Sequence, residues 1–247
     1  MVVGGIIMQL LIKHQIADKL VLPLSYHHIL QAIIYKNLNP SYGYSSYLHN
    51  HGYTYGERSF KLFTFSLLQG KYEVQQKNII FRQEVSFEVR SPDLFMIKIL
   101  ADNIMKNGIY YGSQHFSEVD VYLSDTTVES ENIHIKMRSP ISVYSTVPGT
   151  KETYFYSPDD EEFPQMVSDN FIRKYMACYG VPPQNGIWLK PAKVNSKNKY
   201  VTKYKNFYIS GWMGEYYLNG ERKYLDFLYQ TGLGGKNSQG FGMFDII

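Results

Sequence analysis

"NIIFRQEVSFEVRSPDLFMIKILADNIMKNG", residues 78–108, changes its period halfway. Up to Arg90 the side chains alternate, with Val85, Phe87 and Val89 set between polar neighbours, which is the pattern of a half-buried strand. From Ser91 the spacing becomes helical. Ser91 is expected to cap, Pro92 to sit in the first turn and Gly108 to stop the helix.

Working outward gives the fold. "FKLFTFSLLQG", 60–70, reads as a strand ending at Gly70, and "QHFSEVDVYLS", 114–124, as another. Residues 6–16 read as a first strand. "SYHHILQAIIYKNL", 25–38, reads as a helix with Ser25 as N-cap after Pro23 and with Ile29, Ala32, Ile33 and Leu38 on one face. A second short helix is expected within 40–49. The order strand, helix, strand, strand, helix, strand is the ferredoxin-like arrangement.

Element order repeats more loosely in the second half. "NIHIKMRSPISVYS" is extended, and 159–180 reads as a helix with an acidic first turn, as the helix dipole favours. "GIWLKPAKV" and "YKNFYISGWMGEYYL" read as strands, with a bulge expected at Gly211 and Gly214. "ERKYLDFLYQTG" reads as a short helix and "GFGMFDII" as a last strand. The expected class is therefore α+β, two tandem ferredoxin-like (RRM-like, βαββαβ) domains over residues 1–126 and 127–247.

Apolar residues make up 44% of the 247, enough for a core and too many for disorder. A net charge of +3 excludes a polycation, so any affinity for nucleic acid must come from a local patch. The single cysteine, Cys178, cannot form an internal disulfide, and a reducing cytoplasm is the expected location. The apolar run at the N-terminus has its first positive charge only at Lys13 and is too short for a membrane span, so neither a signal peptide nor a membrane partner is expected.

"GLGGKNSQGFGMF", 232–244, holds five glycines in eleven residues. Glycine-rich loops commonly hold anions. A dinucleotide fingerprint starting at Gly232 would need glycine where Asn237 stands, and a phosphate loop ending at Gly235-Lys236 would need Ser or Thr in place of Asn237. Both need a long helix afterwards, and the chain has only five more residues after Gly242.

"KPAKVNSKNKYVTKYK", 190–205, carries six lysines, no acid, and Tyr200 and Tyr204. It suits either a phosphate backbone with stacked bases or a solvated hairpin whose lysines protect an edge. No metalloprotease His pattern is present, and no metal or other cofactor is expected. His27 and His28 open a helix, where capping or packing suits them. Tyr35, His49 and Lys61 come from three consecutive elements and can converge beside the sheet. Each also has an ordinary role: packing aromatic, helix C-cap cation, surface charge.

These segments together resemble the CRISPR-associated endoribonucleases that process the repeat RNA transcript into guides. The likeness spans nearly the whole chain. Its C-terminal signature, glycine-apolar-glycine, a basic linker, then glycine-aromatic-glycine, is met at Gly232, Gly234, Gly240 and Gly242 with Lys236 in the linker. "LPLSYHHILQAIIY", "YLHNHG", "KLFTFS", "YMACYG" and "WLKPAKV" are similar to other family segments.

The resemblance implies tandem ferredoxin-like domains and metal-independent RNA cleavage leaving a 2′,3′-cyclic phosphate and a 5′-hydroxyl. It places Tyr35, His49 and Lys61 in the catalytic trio, with His51 a rival to His49. It implies RNA contacts at Gly232, Gly234, Gly235, Lys236, Asn237, Ser238, Gly240 and Gly242, with Lys190 and Lys193 beside them. The implied partner is CRISPR repeat RNA; effector-complex subunits and a second copy of the chain are further partners it allows. The alternative is a non-catalytic repeat-RNA-binding subunit of an effector complex.

Overall fold

The computed structural model describes residues 9–38, 52–146, 149–150, 152–204 and 207–247. The first half builds one antiparallel sheet from β1 (Gln9–Pro23), β2 (Thr64–Phe65), β3 (Gln69–Gln75), β4 (Asn78–Arg90) and β5 (Asp120–Ser124). The order across the sheet is β5, β1, β4, then β2 and β3 side by side along the same edge of β4. Helix α1 (His27–Asn37) follows β1 and α2 (Leu94–Asn107) follows β4.

The second half repeats the scheme with β6 (Asn132–Met137), β7 (Trp188–Lys193), β10 (Glu215–Asn219) and β11 (Phe244–Ile246), in the order β7, β10, β6, β11. Helix α3 (Phe163–Tyr179) follows β6 and α4 (Arg222–Thr231) follows β10. A hairpin, β8 (Lys199–Tyr204) with β9 (Phe207–Trp212), is inserted between β7 and β10. Counting the main strands of each half in chain order, both sheets run fourth, first, third, second. This is the ferredoxin-like order twice over, the α+β class expected from the sequence.

Each half has its own core. Leu10, Ile12, Phe87 and Val89 of the first sheet face Leu30, Ile33 and Ile34 of α1 and Ile97 and Leu100 of α2. In the second, Ile133, Ile135, Leu189 and Leu218 face Phe171 of α3 and Leu225 and Leu228 of α4. The burial of β6 alternates, as a sheet with one wet face requires.

Several local readings shift. The first helix begins beyond Tyr26, not Ser25, and the cap position makes no side-chain hydrogen bond. Asp93, not Ser91, caps α2, accepting from the backbone of Phe95 and Met96. The 60–70 strand divides into β2 and β3, and the 114–124 strand into a hairpin (109–111 with 114–116) and β5. The acids at 159–162 precede α3, and Phe163 and Pro164 open it instead. The second-sheet irregularity falls in β7 at Pro191–Lys193, not at Gly211 and Gly214. The helix expected within 40–49 lies outside the described residues. No helix among the described residues is long and apolar enough to cross a membrane.

The halves are clamped together. Arg90, 1% exposed at the end of β4, donates to Glu88 (2.5 Å), to Asp245 (2.9 Å) and to the Phe244 carbonyl of β11 (2.5 Å). Its guanidinium lies 3.8 Å from the centre of the Tyr229 ring. Planar stacking and a rigid donor fork are what arginine offers a buried junction.

Candidate active site

Tyr35 stands in the last turn of α1, half-buried, with its ring edge-on to Phe63 at 6.0 Å between centroids. Burial pushes its hydroxyl up to about 12, so at neutral pH it is a protonated donor.

Lys61 is held by the backbone that follows it. Leu62 adopts a left-handed φ of +46°, which costs a non-glycine residue about 1–3 kcal/mol unless its surroundings hold it. Here Ser91 donates its hydroxyl to the Leu62 carbonyl at 3.0 Å. Leu62 packs into the second core and Phe63 into the first, which fixes Lys61 at the junction. The Lys61 amine donates to the Ser59 hydroxyl at 3.2 Å, and burial lowers its pKa.

Tyr35 and Lys61 line one cleft of about 390 Å³. His28 and Gln31, on the same face of α1 as Tyr35, also line it, as do Tyr204 and the loop residues Ser238 and Gln239. The sequence marks His28 as a cap or packing residue. Its Nδ1 does donate to the Ser25 carbonyl at 2.7 Å, but the side chain is exposed on the cleft. Its spacing of seven residues from Tyr35 was the available signal.

His49 and His51 belong to 39–51, outside the described residues. The chain leaves α1 three residues after Tyr35, and Gly52 lies against Lys61: a Cβ on Gly52 would stand 3.1 Å from the Lys61 amine and collide with the Phe60 carbonyl.

The glycine loop is a packed joint with one open side. Gly232, Gly234, Gly240 and Gly242 are buried with φ between +63° and +86°. A Cβ on Gly240 would lie 2.6 Å from the Phe65 ring and 3.0 Å from His27. Asn237 ties the loop across itself, donating to the carbonyls of Leu233 (2.9 Å) and Phe241 (3.0 Å). The open side is Gly235, Lys236, Asn237 and Ser238, half-buried, with Lys236 itself in the left-handed region at φ +59°. Burial lowers the pKa of the Lys236 amine.

Helix α1 reads this loop directly. Gln31 donates to the Ser238 carbonyl (2.6 Å) and accepts from the Tyr204 hydroxyl (2.7 Å). His27 Nδ1 donates to the Gln239 carbonyl (3.0 Å), which fixes the tautomer because a carbonyl only accepts. Nε2 then accepts from the Tyr200 hydroxyl (2.9 Å). His27 is 2% exposed, and burial pulls it down to about 4, so it is neutral. His27 is thus a link between the halves and no cap. Tyr200 and Tyr204 turn toward α1, with Tyr200 pushed up to about 12 by burial.

Tyr35, Lys61 and the 235–238 segment are brought together; Lys190 and Lys193 are not. Both are exposed on β7, away from the clefts, and Lys193 pairs with Glu215 at 3.0 Å. Lys174 of α3, unmarked in the sequence by any motif, is buried beneath the loop. Among the described residues no three His, Cys, Asp or Glu side chains cluster to hold a metal ion.

Comparison with known proteins bears on the family and the fold. The CRISPR-associated endoribonuclease Cas6 1 of Methanocaldococcus jannaschii is 27% identical over 240 residues, spanning 90% of this chain and 86% of its own. The CRISPR-associated endoribonuclease Cas6 of Pyrococcus furiosus is 24% identical, spanning 91% and 83%. The solved structure of a Cas6-related protein from Pyrococcus furiosus has a TM-score of 0.81 at 21% identity, covering 98% of both chains. A RAMP protein described as binding different RNA substrates has a TM-score of 0.80 at 20% identity over 98% of this chain and 99% of its own. Both structures share the fold. The family model for the C-terminal part of CRISPR-associated protein Cas6 matches residues 123–246, half of the chain, and the chain belongs to the Cas6 family.

Proposed function

We propose that this protein is a metal-independent endoribonuclease that cuts CRISPR repeat RNA by attack of the substrate's own 2′-hydroxyl. The products are a 2′,3′-cyclic phosphate and a 5′-hydroxyl. The observation that carries the reading is the meeting of Tyr35, Lys61 and Ser238 of the glycine loop on one cleft between two ferredoxin-like halves, with Gly235, Lys236 and Asn237 lining an adjoining cleft that also holds Lys61. In this reading residues 1–126 supply the catalytic groups and 127–247 the RNA-binding loop.

The nucleophile belongs to the substrate, so the protein must supply alignment, proton transfer and charge stabilisation. Lys61 stabilises the extra negative charge of the phosphorane. Its partly buried amine acts through a lower dielectric than water, where one charge counts for more. Tyr35, a neutral phenol, orients the 2′-hydroxyl or protonates the leaving oxygen. His49 transfers the proton, as an imidazole can near neutral pH. The segment that carries it enters from α1 beside Tyr35 and leaves at Gly52 beside Lys61. Lys236 adds charge along the RNA backbone.

Single alanine substitutions at His49, His51 and His28 test the assignment. His49→Ala is expected to slow cleavage about 10²–10⁴-fold, with RNA affinity held within a few-fold. A loss confined to His51→Ala or His28→Ala moves the proton-transfer role to that residue. Wild-type protein that binds repeat RNA and never cuts it is the non-catalytic subunit instead.

A further inference from the structure

A second cleft, of about 480 Å³, adjoins the first and shares Lys61, Ser238 and Gln239 with it. Arg58, Lys61, Lys174 and Lys236 line it, and among the described residues no acid does. The Lys236 amine sits 4.4 Å from the centre of the Tyr144 ring.

Lys174 is the unusual member. It is 2% exposed, and its amine donates to the Gly232 carbonyl and to Asn237 Oδ1 (3.1 Å). Both acceptors are uncharged. Burying an ammonium among neutral acceptors is costly, and burial brings its pKa down to about 7. One helical turn earlier, Asn170 also lines the cleft. Its Oδ1 is buried with no hydrogen-bond partner among the described residues, and so is Gln239 Oε1. The cleft therefore offers a buried cation to an anion and a buried acceptor to a hydrogen-bond donor.

A ribonucleotide supplies both. We propose that this cleft holds the phosphate and ribose of the nucleotide next to the one cleaved, with the phosphate on Lys174 and Lys236 and a ribose hydroxyl on Asn170. The proposal rests on the ribonuclease reading above and adds a site to it. Sharing Lys61 makes the two clefts consecutive along one strand. Lys174 serves here as the site's enclosed cation, and the arriving phosphate is its counter-ion.

A proton follows the phosphate. Burial holds the pKa of Lys174 down to about 7, and a bound anion favours its charged form. The charged and titratable groups facing it are Arg58 and Lys61 from the first domain, Tyr144 from the 144–146 strand and Lys236 from the loop. On its own helix Arg173 pairs with Asp169 at 3.5 Å. Binding should weaken as pH rises above 7, by up to about tenfold per unit if one proton is taken up.

The test is a binding scan with uncleavable repeat RNA, 2′-deoxy at the cut nucleotide. One neutral methylphosphonate linkage is moved along it a position at a time. Dissociation constants are measured for wild type, Lys174→Met, Lys236→Ala and Asn170→Ala. Lys174→Met should weaken binding at least tenfold and flatten the pH profile between 6.5 and 8.5. A neutral linkage at one position, adjacent to the cut, should cost wild type as much and cost Lys174→Met nothing more.

Lys236→Ala, on the loop's open side, should repeat that coupling should Lys174→Met fail to fold. Removing the 2′-hydroxyl at the coupled nucleotide should weaken wild type and leave Asn170→Ala unchanged. Effects that add at every position, or a coupled linkage remote from the cut, overturn the proposal. Coupling in a protein that never cuts upholds the phosphate site and overturns the ribonuclease reading alone.

Discussion

Acid should loosen the joint between the halves through His27. Its imidazole is neutral, 2% exposed, and hydrogen-bonded on both nitrogens to second-half elements. The folded pKa is about 4 against 6.5 for a free side chain. Between those values the unfolded chain takes up a proton and the folded chain does not. The stabilisation is therefore whole above pH 6.5 and drains away as pH falls toward 4, a loss of about 3 kcal/mol.

Other groups titrate in the same window, so the comparison must be with His27→Gln, which keeps a donor and an acceptor and does not ionise there. Urea midpoints of both proteins are measured from pH 7.5 to 4.5 and converted to free energies. The wild-type advantage at pH 7.5 should shrink by about 2–3 kcal/mol by pH 4.5. A difference that stays constant across that range would refute the reasoning.

The glycines separate into two kinds. Gly240→Ala, at φ +86° and with its Cβ against Phe65 and His27, should lower the thermal midpoint and slow cleavage; Gly235→Ala, without a positive φ and tight only against the edge of the Tyr144 ring at 2.9 Å, should do much less to stability. Thermal melts of the two variants side by side check this. Arg90→Met removes the cation between Glu88 and Asp245 and leaves Glu88 nearly buried without it, so it should cost about 3–5 kcal/mol in urea unfolding. A loss below 1 kcal/mol would show that the clamp contributes little.

Much of the fold was legible because it is written in short-range periods. Residues 78–90 alternate, and they form a strand with those bounds. Ends were less legible, because a cap signal competes with tertiary partners. Ser91 and Asp93 can both cap; Leu62 takes the serine hydroxyl, and Asp93 caps. Pro164 sets the start of α3, so the acids before it stay outside.

The glycine loop was visible as a motif, but its division into packed joint and open side was not. That division depends on Phe65, His27 and Lys174, which lie far away in the chain. His27 bonds to a residue 212 positions away, so no local pattern announces it. Lys174 looks like any helical lysine until α3 is packed under the loop. The inward turn of Tyr200 and Tyr204 has the same cause: the partner is α1, across the junction.

The central claim is that the RNA supplies its own nucleophile and the protein needs no metal ion to use it. The direct measurement is a cleavage gel run in EDTA with two repeat RNAs, identical except that one carries 2′-deoxyribose at the scissile nucleotide. The account predicts that the all-ribose RNA is cut to a 2′,3′-cyclic phosphate end while the deoxy RNA stays intact. Cutting of the deoxy RNA, or arrest of the all-ribose reaction by EDTA, contradicts it.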